Sequence, residues 1–333
     1  MQDQSYRALL VSEIEEHKFD SEIVQLKTSN LPKGDVLIRV DYSSLNYKDA
    51  LSANGNKGVT RVYPHTPGID AAGRVIESET DEFKNGDEVI VIGYDLGMNT
   101  AGGFGQFIRV PAAWVVPLPN GLSLRDSMVL GTAGFTAALC VEKLLENGLS
   151  SSNGQVLVTG ATGGVGIVAV SLLAKLGFEV IASTGKEDAK GFLQDMGAKS
   201  ILDRNELAEM NKKPLLREQW AGAVDVVGGD TLLNVIKSLK YGASVAACGL
   251  VQSPMIQASV LPFILRGVNL LGVDSVELPI ETKNRVWTLL ANDWKLNNMQ
   301  DIASEIELEQ LQDSLSYILE GRARGRFLLN LSS

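Results

Sequence analysis

A glycine-rich turn between an apolar strand and an apolar helix constrains this chain more than any other stretch. Residues 156–159 are apolar or β-branched and predict a short buried strand, and residues 167–176 are apolar on all sides, as in a buried helix. Glycines permit a tight turn and let a pyrophosphate approach the free N–H groups at a helix N-terminus. The spacing is G-x-x-G-x-x-G, so the pattern alone is weak, but a second predicted strand at 179–183 completes a βαβ unit. The stretch therefore predicts a dinucleotide site, and a glycine turn without a nucleotide is the alternative. Its candidate binding residues are Thr162, Gly163, Gly164 and Val165.

The end of the second strand indicates which dinucleotide is bound. NAD sites carry an acidic residue about 20 positions after the turn, where it accepts hydrogen bonds from the ribose. Here the sequence has two hydroxyls, a glycine and a cation: Ser183, Thr184, Gly185 and Lys186. Arg204, at the end of the next predicted strand (200–204), is a further candidate for binding a 2′-phosphate. The missing acid favours NADPH over NADH; the alternative is that Lys186 only begins a solvated helix over 187–196.

Composition excludes several other classes of function. The 333 residues carry a formal charge of −10, and no run of Lys or Arg occurs, so we expect neither a nucleic-acid nor an anionic-membrane partner. No apolar run of about 20 residues and no signal-peptide pattern is present. The two cysteines lie in apolar stretches and predict buried thiols, which indicates a cytoplasmic protein without disulfides. His17, His65, Cys140 and Cys248 are scattered along the chain, so no metal site is expected.

The pattern of predicted secondary structure changes near residue 127, which predicts two domains in an α/β protein. Residues 1–126 contain short β-type runs separated by turns, which predict a partly closed barrel or sandwich. Residues 127–300 alternate helix and strand, which predicts a doubly wound parallel sheet, and residues 301–333 give a helix and a strand that rejoin the first domain. The predicted strands are 6–11, 36–42, 73–76, 88–93, 105–110, 224–227, 244–248, 269–272 and 326–331, and the further predicted helices are 132–145 and 308–319.

Several longer stretches resemble one known family. Ser43-Ser-Leu-Asn-Tyr-Lys-Asp49, Pro67-Gly-Ile-Asp-Ala-Ala-Gly73 and Gly131-Thr-Ala-Gly-Phe-Thr-Ala137 are similar to the zinc-independent quinone oxidoreductase branch of the medium-chain dehydrogenases/reductases. The stretches 219–225, 241–250 and 262–275 are similar to its YhdH/YhfP family, whose members include NADPH-dependent acryloyl-CoA reductases. The resemblance implies a GroES-like catalytic domain beside a Rossmann NADPH-binding domain. Zinc relatives carry Gly-His-Glu where this chain has Gly68-Ile69-Asp70, which agrees with a reaction without metal.

The candidate catalytic residues are Asn46 and Tyr47, which follow the strand predicted over 36–42. Asn46 can donate a hydrogen bond, and Tyr47 can orient the nicotinamide or donate a proton. The resemblance makes Tyr47 a cofactor contact. A local ion pair between Lys48 and Asp49 is one interpretation of the next two residues, and Asp70 is expected to support the loop rather than act as a base.

Four further cofactor contacts follow from strand ends and from the resemblance. Ligands bind outside the carboxyl ends of parallel strands, which indicates Gly249 and Leu250. The resemblance indicates Ile264 and Ser275. In the tail, Arg322 is a weaker candidate for reaching the cofactor.

The sequence thus predicts an NADPH-dependent reductase of a quinone or of an α,β-unsaturated carbonyl or thioester such as acryloyl-CoA. The sequence does not separate these acceptors. A non-catalytic NADPH-responsive binding protein is the alternative, and retention of Asn46, Tyr47 and the full glycine turn argues against it. The apolar strand 269–272 would leave an exposed sheet edge, so we expect a homodimer that pairs through it, as relatives do.

Overall fold

The structure is a computed structural model that describes residues 3–209 and 211–332. Fifteen strands and ten α-helices occur in these two ranges. In chain order the elements are β1 (Ser5–Glu15), β2 (Lys18–Lys27), β3 (Val36–Ser44), α1 (Tyr47–Ala53), β4 (Asp70–Ser78), β5 (Glu88–Ile92), β6 (Phe107–Val110), β7 (Val115–Pro117), α2 (Leu124–Glu146), β8 (Val156–Val158), α3 (Gly164–Lys175), β9 (Val180–Thr184), α4 (Lys190–Asp195), β10 (Ser200–Asp203), α5 (Asn205–Ala208), β11 (Trp220–Asp225), α6 (Gly229–Ser238), β12 (Leu239–Ala247), α7 (Leu261–Arg266), β13 (Asn269–Gly272), α8 (Ile280–Ala291), α9 (Met299–Ile302), β14 (Ala303–Ile306), α10 (Leu311–Leu319) and β15 (Arg326–Asn330).

Contacts between Cα atoms divide the chain into two compact units. The first unit contains residues 1–132, 276–292 and 299–333, and the second contains residues 133–275 and 293–298. The first unit therefore takes α8 as well as the C-terminal segment, whereas the sequence prediction placed residues 127–300 together.

The first unit is built on a mixed sheet with the order β14-β15-β3-β4-β5-β7, and β6 also pairs with β3. A two-stranded antiparallel ribbon, β1-β2, accompanies it. Alternate residues of β3, Val36, Ile38 and Val40, are fully buried in one apolar cluster, as the period of two in a strand requires. The C-terminal strand β15 pairs antiparallel with β3 through Leu328 opposite Ser44. This pairing brings the end of the chain beside the residues that follow β3.

The second unit contains a six-stranded parallel sheet in the order β10-β9-β8-β11-β12-β13. Taking β8 as the first strand of this sheet, the order is 3-2-1-4-5-6, which is that of a doubly wound dinucleotide-binding fold with its switch point between β8 and β11. Short apolar strands such as Val156–Val158 are fully buried because helices cover parallel sheets.

Most predicted elements are present, with shifted ends. The strand at 269–272 has the predicted bounds, and the strand at 224–227 instead ends at Asp225 and extends back to Trp220. The helix predicted over 187–196 is a 3₁₀ turn followed by α4. The helix predicted over 132–145 lies within α2, which is bent at Gly131 (φ 52°, ψ −159°). α2 is long and apolar enough to cross a membrane, but 78% of its most apolar window is buried in the protein, as in a core helix.

Candidate active site

Asn46 and Tyr47 lie at the junction between β3 and α1. Asn46 has an extended backbone (φ −129°, ψ 163°), and Tyr47 is the first residue of the helix. The Tyr47 side chain is 42% exposed, although Leu45 on one side and Asp49 on the other are buried. The first unit therefore presents the Tyr47 ring at its surface, between the half-buried residues Asn46 and Lys48.

The Asn46 amide is held on both of its ends. Its Nδ2 donates to Asp70 Oδ2 at 2.8 Å and to Asp49 Oδ2 at 3.2 Å, and it lies 3.3 Å from the Ser44 carbonyl oxygen. Its Oδ1 accepts a 3.1 Å hydrogen bond from Arg326 Nη1. Carboxylates only accept and a guanidinium only donates, so these partners fix which end of the amide is oxygen.

Asp70 is the centre of these contacts and is fully buried. It accepts hydrogen bonds from Ser44 Oγ at 2.5 Å, from the Thr132 N–H at 3.0 Å and from Thr132 Oγ1 at 2.5 Å. Arg326 Nη2 lies 3.7 Å from the same carboxylate. Asp70 therefore supports the Asn46 turn through several partners, as the sequence suggested.

Asp49 is the second buried carboxyl of this region. It accepts from the Ile69 N–H at 2.8 Å and from the Asn46 N–H at 2.8 Å, and these contacts, not an ion pair with Lys48, orient it. Burial, with the nearby Asp70 carboxylate, raises the pKa of Asp49 to about 7 although these N–H groups favour its charged form. Burial likewise lowers the pKa of Arg326, which the two carboxylates partly offset. Asp49 can thus take up or release a proton near neutral pH.

The glycine turn of the second unit has the geometry that a dinucleotide requires. α3 begins at Gly164, so Thr162, Gly163, Gly164 and Val165 surround a helix N-terminus with free N–H groups. Gly160 has a φ of 56°, and a Cβ on Gly166 would lie 2.4 Å from the Gly160 carbonyl oxygen. The turn therefore closes only with glycine at both places.

Asp225 connects the residue before this turn to the neighbouring strand β11 by hydrogen bonds. The sequence analysis did not identify it as a functional residue. Thr159 Oγ1 donates to Asp225 Oδ1 at 2.7 Å, and the Gly228 N–H donates to Asp225 Oδ2 at 2.8 Å. Burial raises the pKa of Asp225. A buried acid at the end of an apolar strand was the available signal. Its hydrogen bonds hold the ends of β8 and β11, on either side of the switch point, in register.

Two cationic residues lie just beyond the ends of two paired strands, Lys186 after β9 and Arg204 after β10. Ser183 and Thr184 are buried, and the Thr184 carbonyl accepts from the Arg204 N–H at 3.1 Å. Gly185 lies against the Arg204 side chain, since a Cβ there would be 2.4 Å from Arg204 Nε. The Lys186 N–H donates to Thr184 Oγ1 at 3.1 Å. The structure thus brings together the residues that the sequence assigned to a 2′-phosphate.

The remaining candidate cofactor contacts differ in how exposed they are. Gly249 and Leu250 follow β12, with Leu250 60% exposed, and Ile264 projects from α7 with 68% exposure. Ser275 is buried, and its Oγ accepts a 2.9 Å hydrogen bond from Thr136 Oγ1. In the first unit, Arg322 is paired with Glu320 at 2.8 Å and lies over the Tyr317 ring.

Neither cysteine is placed as a ligand or a nucleophile. No group of three or more His, Cys, Asp or Glu side chains within residues 3–209 and 211–332 is arranged to hold a metal ion. A hydrogen bond with Cys248, together with burial, raises the pKa of Cys140 and keeps it a neutral thiol. Both cysteines are free.

Two family models match the chain. The model described as "Alcohol dehydrogenase GroES-like domain" matches residues 32–120, and the one described as "Zinc-binding dehydrogenase" matches residues 164–292. With the mixed sheet and the doubly wound sheet, they define an oxidoreductase of the medium-chain dehydrogenase/reductase type. This confirms the predicted fold class.

Relatives of known sequence and structure narrow this class. The putative quinone oxidoreductase YhfP of Bacillus subtilis is 46% identical over 307 residues, which cover 92% of this chain and 93% of that protein. Its structure with NAD bound has a TM-score of 0.95 at 44% identity, covering 98% of this chain and 100% of that one. The acrylyl-CoA reductase AcuI of Ruegeria pomeroyi is 44% identical over 329 residues, which cover 98% and 100% of the two chains. The yhdH oxidoreductase of Salmonella enterica, solved in complex with NADP, has a TM-score of 0.94 at 43% identity and covers 98% and 99%. The chain belongs to the family of medium-chain reductases that contains YhfP, YhdH and AcuI, as its motifs predicted.

Proposed function

We propose that this protein is an NADPH-dependent reductase that transfers hydride to an activated acceptor without a metal. The observation that carries the cofactor assignment is the end of β9, where Gly185 leaves room for the Arg204 side chain and Lys186 follows. Cations at this position match a 2′-phosphate, whereas an acid would match the free ribose of NAD. The YhdH structure with NADP bound supports this assignment. The YhfP structure has NAD bound, so the preference of this protein for NADPH over NADH needs to be measured.

The bound cofactor would supply the hydride, which adds to the electron-poor carbon of the acceptor while a proton adds to the neighbouring atom. The residues of the glycine turn, Thr162 to Val165, bind the pyrophosphate through N–H groups at the start of α3. Tyr47 orients the nicotinamide or donates the proton, and Asn46 fixes that turn. Gly249 and Leu250 are proposed as further cofactor contacts because they follow the carboxyl end of β12. Ile264 and Ser275 are proposed on the basis of family resemblance, and Arg322 is proposed as a contact from the C-terminal segment.

The acceptor is either a quinone or an α,β-unsaturated thioester such as acryloyl-CoA. YhfP is named as a putative quinone oxidoreductase, and AcuI is named as an acrylyl-CoA reductase. Both acceptors provide their own electrophilic carbon, so the protein needs to orient the reactants and to stabilise developing negative charge.

The test follows NADPH absorbance with purified protein and offers acryloyl-CoA and 1,4-benzoquinone separately. Saturable turnover with acryloyl-CoA and little with the quinone would assign an enoyl-thioester reductase, and the reverse would assign a quinone reductase. The same assay with NADH measures cofactor preference, and we expect NADPH to have the higher kcat/KM. Tyr47→Phe tests the Tyr47 hydroxyl, and the exposed Tyr241→Phe is its control. A lower kcat with an unchanged Kd for NADPH would indicate proton donation, and a raised Kd for NADPH would indicate cofactor contact. NADPH binding without oxidation by either acceptor would reject the reductase and favour a binding protein.

We also propose a cytoplasmic homodimer that pairs through β13. This strand ends the sheet beside β12, and Leu270 on it is 39% exposed. Apolar sheet edges tend to pair with a second chain. Light scattering should give twice the mass of one chain, and Leu270→Glu should reduce it to one, whereas Val62→Glu on an exposed loop should not. A monomeric wild-type protein would reject this proposal.

A further inference from the structure

A buried cluster of three charged side chains lies beneath Asn46 within the first unit. Arg326 is 4% exposed, and Asp49 and Asp70 are fully buried. Removing charges from water is costly and is offset only by good pairing and further hydrogen bonds. The cluster meets this requirement, since Arg326 Nη1 donates to the Leu45 carbonyl at 2.9 Å and Nη2 donates to Ser44 Oγ at 2.8 Å.

The cluster uses the hydrogen-bonding capacity of the Asn46 side chain. Both amide hydrogens have acceptors within the protein, Asp70 Oδ2 first and then Asp49 Oδ2 or the Ser44 carbonyl. The amide oxygen is taken by Arg326. Asn46 therefore cannot donate to an acceptor molecule without giving up one of these bonds. Its geometry is that of a residue that orients its neighbour.

A second observation supports the same role. α2 is bent at Gly131, whose φ of 52° is unfavourable for other residues. A Cβ at this place would lie 2.3 Å from Ser44 Oγ and 2.5 Å from Asp70 Oδ2. The bend lets the next residue, Thr132, donate twice to Asp70. The backbone of a long helix is thus interrupted where it completes the cluster.

We propose that Arg326 and Asp70 are positioning residues for the reduction: they hold Asn46, and through it the start of α1 and the exposed Tyr47 ring, in one orientation. This inference rests on the proposed function, because the contact of Tyr47 with the cofactor is part of that proposal. Arg326 acts at the amide oxygen of Asn46 and Asp70 at its nitrogen, so removal of either takes away one of the shortest contacts that fix the orientation of the amide. Without Asp70, the nitrogen keeps the longer contacts to Asp49 Oδ2 and the Ser44 carbonyl.

Asp49 makes this arrangement sensitive to pH. The charged groups that face it are Asp70 from β4 and Arg326 from β15, and the Ile69 and Asn46 N–H groups contact its oxygens. With both carboxylates ionised the cluster has a net charge of −1, and protonation of Asp49 makes it neutral. Because the pKa of Asp49 is raised to about 7, we expect the contact of its Oδ2 with the Asn46 N–H to weaken as pH falls through neutrality.

The kinetic test compares wild-type protein with Arg326→Met, Arg326→Lys and the control Arg125→Met, whose ion pair with Glu305 is partly exposed. We expect Arg326→Met to lower kcat about 100-fold, as misplacement of a reacting group does, with the acceptor KM little changed. Arg326→Lys should recover part of the loss, and Arg125→Met should match wild type. The wild-type kcat should fall as the pH decreases below about 7. Asp49→Asn should instead have a low kcat that does not change with pH. A folded Arg326→Met protein with wild-type kcat would overturn the proposal.

A readout independent of turnover keeps the inference separate from the proposed function. Protein labelled with 3-fluorotyrosine gives a ¹⁹F resonance for Tyr47, assigned by its loss in Tyr47→Phe. We expect this line to shift or broaden in Arg326→Met and to stay unchanged in Arg125→Met. If Arg326→Met does not fold, Thr132→Val removes one Asp70 hydrogen bond and should give a smaller shift in the same direction. An unchanged line in a folded Arg326 or Thr132 variant would reject the positioning role, whereas failure of wild-type turnover alone would reject only the reductase.

Discussion

Gly185 lies directly against the Arg204 side chain, and a Cβ on Gly185 would be 2.4 Å from Arg204 Nε and 2.7 Å from its Cδ. The two residues directly follow two neighbouring strands of the sheet, Gly185 after β9 and Arg204 after β10. The missing side chain at Gly185 therefore determines where a guanidinium can lie. We propose this guanidinium as a ligand of the 2′-phosphate of NADPH.

Gly185→Ala should consequently alter cofactor preference without altering the fold. The added methyl group meets the flexible Arg204 side chain, which can move away and leave its site. We expect the Kd for NADPH to rise about tenfold, which corresponds to about 1.4 kcal/mol, and the Kd for NADH to stay unchanged. Titration of each cofactor by fluorescence measures both. The control is Gly191→Ala, where a Cβ meets nothing within 4 Å. Equal weakening of both cofactors would contradict a role in phosphate binding.

Two glycines of the turn should respond to alanine in different ways. A Cβ on Gly166 would lie 2.4 Å from the Gly160 carbonyl oxygen and 2.7 Å from Ala161 Cα, so the backbone itself would have to shift. We expect Gly166→Ala to lower the free energy of unfolding by roughly 2 kcal/mol or more. A Cβ on Gly163 would be 3.4 Å from the same oxygen, which is tolerable, so Gly163→Ala should keep its stability. It should instead weaken NADPH binding, because the methyl group enters the space of the pyrophosphate. Urea unfolding and NADPH titration of both variants distinguish the two effects; similar behaviour in both would contradict this reading of the turn.

Asp49 should make stability depend on pH. Its pKa rises from 3.8 to about 7 on folding, so the neutral carboxyl favours the folded state fully below pH 3.8, and this contribution is lost as pH rises through about 7. Between pH 5 and pH 7 the free energy of unfolding of wild type should therefore fall, relative to Asp49→Asn, by roughly 2 to 3 kcal/mol. Urea unfolding at both pH values measures it. The lowered pKa of buried His65 acts in the opposite sense but is present in both proteins, so it cancels in the difference. Parallel pH curves would show that Asp49 stays ionised in the fold.

The features that sequence reasoning found are those with a local cause. The strand, glycine turn and helix around residue 160 are adjacent in the chain. The bounds of the strand Asn269–Gly272 can be predicted from the residues of the strand itself. β2 was missed because it is polar and lies in a two-stranded ribbon with half-buried residues, so its alternation is weak. α8 was missed although Val286 and Trp287 on it are buried, because its polar residues obscure the apolar face.

The buried cluster of the candidate site has no local cause. Arg326 and Asn46 are 280 positions apart, and only the pairing of β15 with β3 brings them together. A single Arg at the start of the apolar strand Arg326–Asn330 was the available signal. The sequence prediction instead named Arg322, which is exposed and paired with the nearby Glu320. A charged residue that begins a buried strand predicts a buried partner, but the sequence does not say which one.

Lys283 is a buried cation for which the structure predicts a large effect on stability. It is fully buried on α8, and its Nζ lies 3.3 Å from the centroid of the Tyr94 ring. The same group donates to the Ile92 carbonyl at 2.8 Å and to the Val276 carbonyl at 3.1 Å. Replacing a buried charge by an apolar residue of similar size can be neutral where all its partners are removed with it. Here the Ile92 carbonyl would lose this donor, and the Val276 carbonyl would keep the Tyr94 N–H at 3.2 Å. A buried group left unsatisfied costs about 1 to 3 kcal/mol.

Lys283→Met should therefore lower the free energy of unfolding by about 3 kcal/mol, because the loss of two hydrogen bonds and of the contact with Tyr94 outweighs the relief of burying a charge. Urea unfolding at pH 7 measures the change, and Lys84→Met, on an exposed turn, should change it by less than about 0.5 kcal/mol. Tyr94→Phe keeps the ring beneath the ammonium group and loses only the hydroxyl bond to the Leu278 carbonyl, so it should cost about 1 kcal/mol. If Lys283→Met were as stable as wild type, the cost of burying the ammonium group would equal the value of its contacts, and Lys283 would contribute nothing net to the fold.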